Sequence, residues 1–139
     1  MTTIDVEERR ARLARRHHLA HPTGSIEEVA DALVGLHSSD PTSVYLSARA
    51  RMVGGSVGVV DRALYEDRLL VRMLAMRRTM FVIPVDEAPA IHAAASLAVA
   101  RTERRRTELF VASMGVADPK RWIREAARQA MSALRARGR

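Results

Sequence analysis

The stretch LLVRMLAMRRTMFVIP, residues 69–84, decides how this chain folds. Its two apolar runs, 69–76 and 79–83, are rich in β-branched or long side chains, as strands are. Arg77 and Arg78 separate the runs, and a proline stops the second one. The pattern predicts a β-hairpin, although no Asn-Gly or Asp-Gly pair marks its turn.

Helices are predicted before this hairpin. Ser25 and Glu28 have the spacing of a capping box, and Asp40-Pro41 is a typical helix start. Apolar residues recur at helical intervals in the segments that these signals open, and the first of those segments runs to about His37. The four helices predicted before the hairpin span 5–19, 25–37, 41–52 and 57–66.

Two more helices are predicted after the hairpin. A long one covers residues 86–113 and ends at Gly115. Asp118-Pro119 then opens a last helix, in which Trp122 begins a strong apolar stripe.

The order of three helices followed by a hairpin is that of a winged helix, a three-helix core with a β-hairpin wing. We therefore predict an α+β, mainly α fold: a winged helix with an extra N-terminal helix and two C-terminal helices. The predicted domains are 1–84, the N-terminal helix and winged helix, and 85–139, a long helix and a linking helix. A helical bundle with an incidental hairpin is the alternative.

Composition excludes several classes of protein. A chain of 139 residues has room for one domain of ordinary size. Without cysteine it has no disulfide framework, thiolate zinc site or cysteine nucleophile. Apolar runs fall short of the roughly 18–20 residues that span a bilayer. We expect a cytoplasmic protein with no membrane partner and a mainly aliphatic core.

The formal charge of +7 is unevenly distributed along the chain. Residues 25–67 carry three bases and seven acids, whereas residues 68–139 carry fifteen bases and six acids. An anion-binding face is therefore expected in the second half, and double-stranded DNA is the expected partner. GC-rich codon usage is a competing explanation of the arginine content. The arginines predicted to contact phosphates are Arg49, Arg51, Arg72, Arg77, Arg78, Arg101, Arg104 and Arg105.

The helix in the usual recognition position, about 56–66, lies in the stretch SVGVVDRALYED, which carries one arginine and three acids. Such a helix is poorly suited to a major groove, so little base readout is expected.

A catalytic hypothesis concerns the segment His37-Ser38-Ser39-Asp40 between two predicted helices. His37 would activate a water molecule and Asp40 would orient it. The alternative is that Asp40 only caps a helix and His37 only ends one. His17, His18 and His21 include an i,i+4 pair, but no third metal ligand is evident nearby. The chain also has no phosphate-binding glycine loop, so no metal or cofactor is expected.

The sequence HSSDPTSVYLSARAR, residues 37–51, followed by residues 63–84, resembles a family of winged-helix DNA-binding proteins. This family includes the bacterial alkylpurine and interstrand-crosslink DNA glycosylases. The similarity covers roughly residues 5–137, and its most specific part is 64–84. The resemblance implies three winged helices in tandem on a concave basic surface, with this chain similar to the first third, so further winged-helix domains of a longer chain are expected.

The resemblance also implies a Gln-x-Gln or Gln-x-Asp pair that positions the attacking water. The corresponding stretch here reads His37-Ser38-Ser39, and a family Thr-Leu-His reads Thr79-Met80-Phe81.

Three functions follow as hypotheses. The first is a nucleoid-associated DNA-binding protein of DNA repair that contacts the backbone largely independently of sequence. The second is a glycosylase excising N-alkylated purines, and the third is a helical protein-interaction module.

Overall fold

Helices precede and follow a small antiparallel sheet in the computed structural model, which describes residues 4–137. The fold is α+β and mainly helical, as predicted. The chain divides into two compact units, the first ending at Leu97 and the second beginning at Ala98. No helix in the described part of the chain is long and apolar enough to cross a membrane.

Four helices lie before the hairpin, and the capping residues identified from the sequence begin two of them. The Ser25 hydroxyl accepts a hydrogen bond from the Glu28 N–H at 3.2 Å, and the Asp40 carboxylate accepts one from the Thr42 N–H at 3.0 Å. The helices are α1 (Val6–Arg16), α2 (Ile26–Ala32), α3 (Pro41–Arg49) and α4 (Val57–Asp61). A single π-helical turn, Arg62–Glu66, continues α4.

The prediction that the second helix runs to about His37 is wrong. Helix α2 ends at Ala32, and Leu36–His37 form a short strand, β1. The break begins at Val34, whose φ of 55° is left-handed. The Val34 N–H donates to the Asp31 carbonyl and the Gly35 N–H donates to the Ala30 carbonyl, which closes the helix end, and Gly35 continues the turn with a φ of 100° that suits glycine. The first helix likewise ends at Arg16 rather than at residue 19.

The predicted hairpin is confirmed. Strand β2 (Leu70–Leu74) pairs antiparallel with β3 (Met80–Pro84), and a 3₁₀ turn, Met76–Arg78, joins them. Strand β1 pairs with the other edge of β3, with Leu36 opposite Val82. The strand order is therefore β1-β3-β2.

Helical structure resumes after the hairpin. The predicted helix over 86–113 is present but irregular, because a π-helical segment, His92–Ser96, separates α5 (Ala88–Ile91) from α6 (Leu97–Ser113). Helix α7 (Pro119–Ala136) begins at the predicted cap, where the Asp118 carboxylate accepts the Arg121 N–H at 2.9 Å.

The core of the first unit lies on both faces of the sheet. Leu36, Leu70 and Val82 pack with buried residues of α2, α3 and α4. Phe81 and Ile83 alternate with Val82 along β3 and pack on the opposite face. The expected aliphatic core is confirmed, because the largest fully buried side chains are Leu36, Ile83, Val29, Val60, Val82 and one polar residue, Ser38.

Candidate functional site

The junction, residues 37–40, connects β1 to α3 and runs beside the start of β3. The Ser38 N–H donates to the Met80 carbonyl at 2.8 Å. The Met80 N–H in turn donates to the Ser39 hydroxyl at 3.4 Å. Because Met80 directly follows the hairpin turn and Thr79, the junction lies at the turn end of the sheet.

His37 and Asp40, the two residues of the catalytic hypothesis, lie at the two ends of this junction. The exposed imidazole of His37 meets the Phe81 ring edge-on, with centroids 5.4 Å apart. The Asp40 carboxylate caps α3, and the Ser43 hydroxyl donates to the carbonyls of His37 and Asp40 at 3.1 and 2.5 Å. Within residues 4–137, no hydrogen bond joins the side chains of His37 and Asp40. The structure therefore shows Asp40 as a helix cap, and the side chains of His37, Ser39 and Asp40 are all exposed at the junction.

Arg72 reaches the junction from β2. Its Nε donates to the Ser38 hydroxyl at 3.3 Å, and its Nη2 donates to the Ser38 carbonyl at 2.6 Å. Ser38 itself is only 1% exposed. The arginine predicted to contact phosphate thus has its guanidinium engaged by the protein.

A small cleft with a cavity volume of about 20 Å³ opens next to Arg72. The Tyr45 hydroxyl, on its wall, donates to the Asp61 carboxylate at 2.8 Å. This hydrogen bond, together with burial and the negative charge of Asp61, raises the pKa of Tyr45 above its usual value. The cleft is lined by Ser38, Pro41, Val44, Tyr45, Leu64, Tyr65, Arg72 and Val82.

The hairpin turn carries Arg77 and Arg78, and both are exposed. Their φ angles are 53° and 62°, so two successive non-glycine residues occupy the left-handed region. This conformation costs about 1–2 kcal/mol per residue for L-amino acids. The turn keeps arginine at positions where glycine would fit the backbone better.

The two arginines of the α3 region differ in exposure. Arg49 is exposed and lines a groove with Leu46 and Val57. Arg51 is half-buried, and its Nη1 donates to the Ser47 carbonyl at 3.1 Å. Its Nε is buried and has no hydrogen-bond partner in the described part of the chain.

The remaining predicted arginines belong to the second unit. Arg101, Arg104 and Arg105 are all exposed on α6. Arg105 and Lys120, which lies at the start of α7, line the same groove. Within residues 4–137, no three His, Asp or Glu side chains come together as metal ligands.

A comparison with protein-family models matches residues 30–139 to the family described as DNA glycosylase AlkZ-like. The chain belongs to the AlkZ-like DNA glycosylase family. This match confirms the family resemblance seen in the sequence, and membership indicates a function related to DNA repair. No curated protein and no solved structure matches the chain.

In this AlkZ-like chain the hairpin and the junction both fall within the matched residues. Sequence reasoning missed that Ser38 is buried and bonded to Arg72. It also missed the Tyr45–Asp61 pair, because residues sixteen positions apart show no local signal.

Proposed function

We propose that the chain is a DNA-repair protein of the cytoplasm that binds double-stranded DNA through its arginines, largely independently of base sequence. The hairpin turn is the principal contact in the first unit. The exposed arginines of α6 add phosphate contacts in the second unit. A protein of this kind would associate with the nucleoid.

The first unit has the element order of a winged helix. Helices α2, α3 and α4 precede the β2–β3 hairpin, and the short strand β1 falls between α2 and α3 and pairs with β3. This arrangement supports the winged-helix reading, in which the hairpin is the wing.

The observation that carries the proposal is the position of the junction beside the hairpin turn. His37 pairs with Phe81, and the Ser38 N–H bonds to Met80, two residues beyond Arg78. A DNA backbone lying on the turn would therefore pass close to His37. The arginines proposed to bind phosphate and the candidate catalytic side chain of His37 therefore lie at the same end of one sheet.

The strained turn gives independent support. Backbone strain of this kind persists where the surrounding structure and function require a particular side chain. Two exposed arginines kept in left-handed conformations are expected where their charge serves a ligand. A phosphate backbone is the polyanion that such an exposed pair suits.

Fluorescence anisotropy with a random-sequence duplex at two salt concentrations tests the proposal. The Arg77→Gln/Arg78→Gln double variant is expected to bind more weakly and to lower the slope of log K against log salt by about 1–2. Arg9→Gln/Arg10→Gln removes the same charge from exposed positions of α1 and should change binding little. Equal losses in both variants, or micromolar binding that salt does not weaken, would reject the proposal.

A second candidate function is that of a glycosylase that excises N-alkylated purines. The exposed imidazole of His37 beside the turn favours it, because a side chain there can act as a base toward water. The wild-type chain should then release free 7-methylguanine from alkylated DNA, and His37→Ala should abolish release while keeping duplex affinity. Absence of release by the wild-type protein would reject this candidate and leave the binding function standing.

The α7 stripe favours a third candidate, a helical protein-interaction module. Trp122, Met131 and Leu134 on this helix are 52%, 50% and 48% exposed. A solution mass that showed a defined oligomer, together with no binding to DNA, would support this candidate over the first.

A further inference from the structure

Arg72, one of the expected phosphate contacts, binds the junction through its guanidinium. We infer that Arg72 is a positioning residue, which clamps the junction to the hairpin and so fixes the backbone that presents His37. The clamp is a property of the fold; its value to DNA chemistry rests on the proposed function.

The geometry of the Arg72 guanidinium, whose Nε and Nη2 form a two-donor fork, supports this assignment. Arg72 lies opposite Val82 in β3, and Val82 lies opposite Leu36 in β1, so the three side chains share one face of the sheet. The guanidinium extends across the middle strand to the residue just beyond β1. There its Nε and Nη2 bind the hydroxyl and the carbonyl of Ser38 at 3.3 and 2.6 Å.

The hairpin satisfies every polar group of Ser38. Its N–H donates to the Met80 carbonyl, and its hydroxyl and carbonyl accept from Arg72. Ser38 is 1% exposed, so water would be a poor substitute for these partners. Loss of the Arg72 fork would leave a buried carbonyl without its charged donor, and the junction would loosen.

Arginine is required for this arrangement. A guanidinium offers two donors in one plane and can bind both oxygens of Ser38 at once, whereas an ammonium is a point donor on a flexible stem. Lysine at position 72 would therefore keep the charge and lose the clamp. That difference separates a clamp from a phosphate contact, in which the charge itself is the main term.

The test compares Arg72→Gln, Arg72→Lys and Arg77→Gln in the full chain. Hydrogen exchange is measured on the peptide that contains the junction, and affinity is measured on a random duplex. Both Arg72 variants are expected to raise junction exchange by about tenfold and to change duplex affinity by less than about threefold. Arg77→Gln is expected to leave junction exchange at the wild-type rate and to weaken duplex binding.

Each outcome distinguishes a clamp on the junction from a phosphate contact. Junction exchange that stays at the wild-type rate in both Arg72 variants would overturn the clamp. A loss of duplex affinity in Arg72→Gln that Arg72→Lys restores would overturn it in favour of a phosphate contact. If no arginine variant changes duplex affinity, the proposed function fails while faster junction exchange still supports the clamp.

A milder variant keeps the test usable if Arg72 variants do not fold. Ser38→Ala removes only the longer bond to Nε and keeps the carbonyl that Nη2 binds. It should raise junction exchange by about threefold. An unchanged rate in Ser38→Ala would count against the clamp.

Discussion

At residue 77 of the hairpin turn, the amino acid that would best stabilise the backbone differs from the one that would bind DNA. Arg77 has a φ of 53°, a conformation that glycine adopts without the steric penalty of a Cβ atom. Arg77→Gly should stabilise the first unit by about 0.5–1 kcal/mol, after the larger entropy of glycine in the unfolded chain is subtracted. It should also weaken duplex binding. Urea unfolding and anisotropy on the same preparation measure both effects.

The matched control for Arg77→Gly is Arg77→Gln, which removes the charge and keeps a side chain in the strained conformation. We expect its stability to equal that of the wild type and its duplex binding to fall as far as that of Arg77→Gly. A glycine variant that is less stable than the wild type would show that the turn stores no strain.

At Gly35, in contrast to Arg77, the residue present is the one that the backbone conformation requires. A Cβ atom there would lie 2.6 Å from Ile83 Cγ2, and the φ of 100° is strained for any other residue. Gly35→Ala should therefore destabilise the protein by more than about 2 kcal/mol, because both the clash and the strain act on the folded state. Gly24→Ala is the control, since no atom lies within 4 Å of its added Cβ. Similar urea midpoints for the two variants would contradict this account.

At the scale of the element, the hydrogen bond from Tyr45 to Asp61 connects α3 with the end of α4. The folded pKa of Tyr45 is raised, so its stabilising contribution is complete below the unfolded pKa of about 10. Above that pH the unfolded chain ionises at this tyrosine first, and stability falls as the pH rises toward the folded pKa. Tyr45→Phe should be less stable at neutral pH by about 1 kcal/mol and should lose less stability above pH 10.

Urea unfolding between pH 8 and about 11 measures this difference. Tyr65→Phe is the matched control, because the Tyr65 ring is 68% exposed. The control should follow the wild-type curve. A Tyr45→Phe curve parallel to that of the wild type would show that the pair does not link folding to pH.

The elements that the sequence predicted are those with local signals. Ser25, Asp40 and Asp118 cap helices within a few residues of themselves, and the apolar runs of the hairpin carry their own pattern. Strand β1 has two residues and no periodicity, so only its pairing with β3 reveals it. The sequence predicted a helix there because Leu36 also fits helical spacing.

The candidate site was less predictable for the same reason. The sequence placed His37 and Asp40 between two helices, whereas the structure places them between strand β1 and helix α3. It could not distinguish an arginine that binds phosphate from one that binds a carbonyl, because the Arg72–Ser38 contact spans two strands of the folded sheet. Side-chain partners that are distant in sequence are set by tertiary packing alone.

At the scale of the whole molecule, the charge distribution predicts how selective binding should be. Residues 25–67 carry more acids than bases, and Asp61, Glu66 and Asp67 surround the end of α4. Because these acids repel the DNA polyanion, binding should depend on phosphate contacts made elsewhere rather than on base edges. Duplexes of equal length and different sequence are expected to bind within about threefold of one another. Competition anisotropy measures this, and a preference of a hundredfold would contradict it.

The pairing of β1 with β3 has a consequence for the order in which the first unit folds. Leu36 and Val82 are far apart in the chain, so their contact closes a long loop and adds to the contact order. Helices α2 and α3 and the hairpin can each form locally, whereas the junction acquires its partners only when the hairpin docks. During synthesis, His37 can therefore form its contacts with Phe81 only after β3 has left the ribosome. The segment closest to the proposed chemistry thus depends on strand partners that lie far from it in the chain.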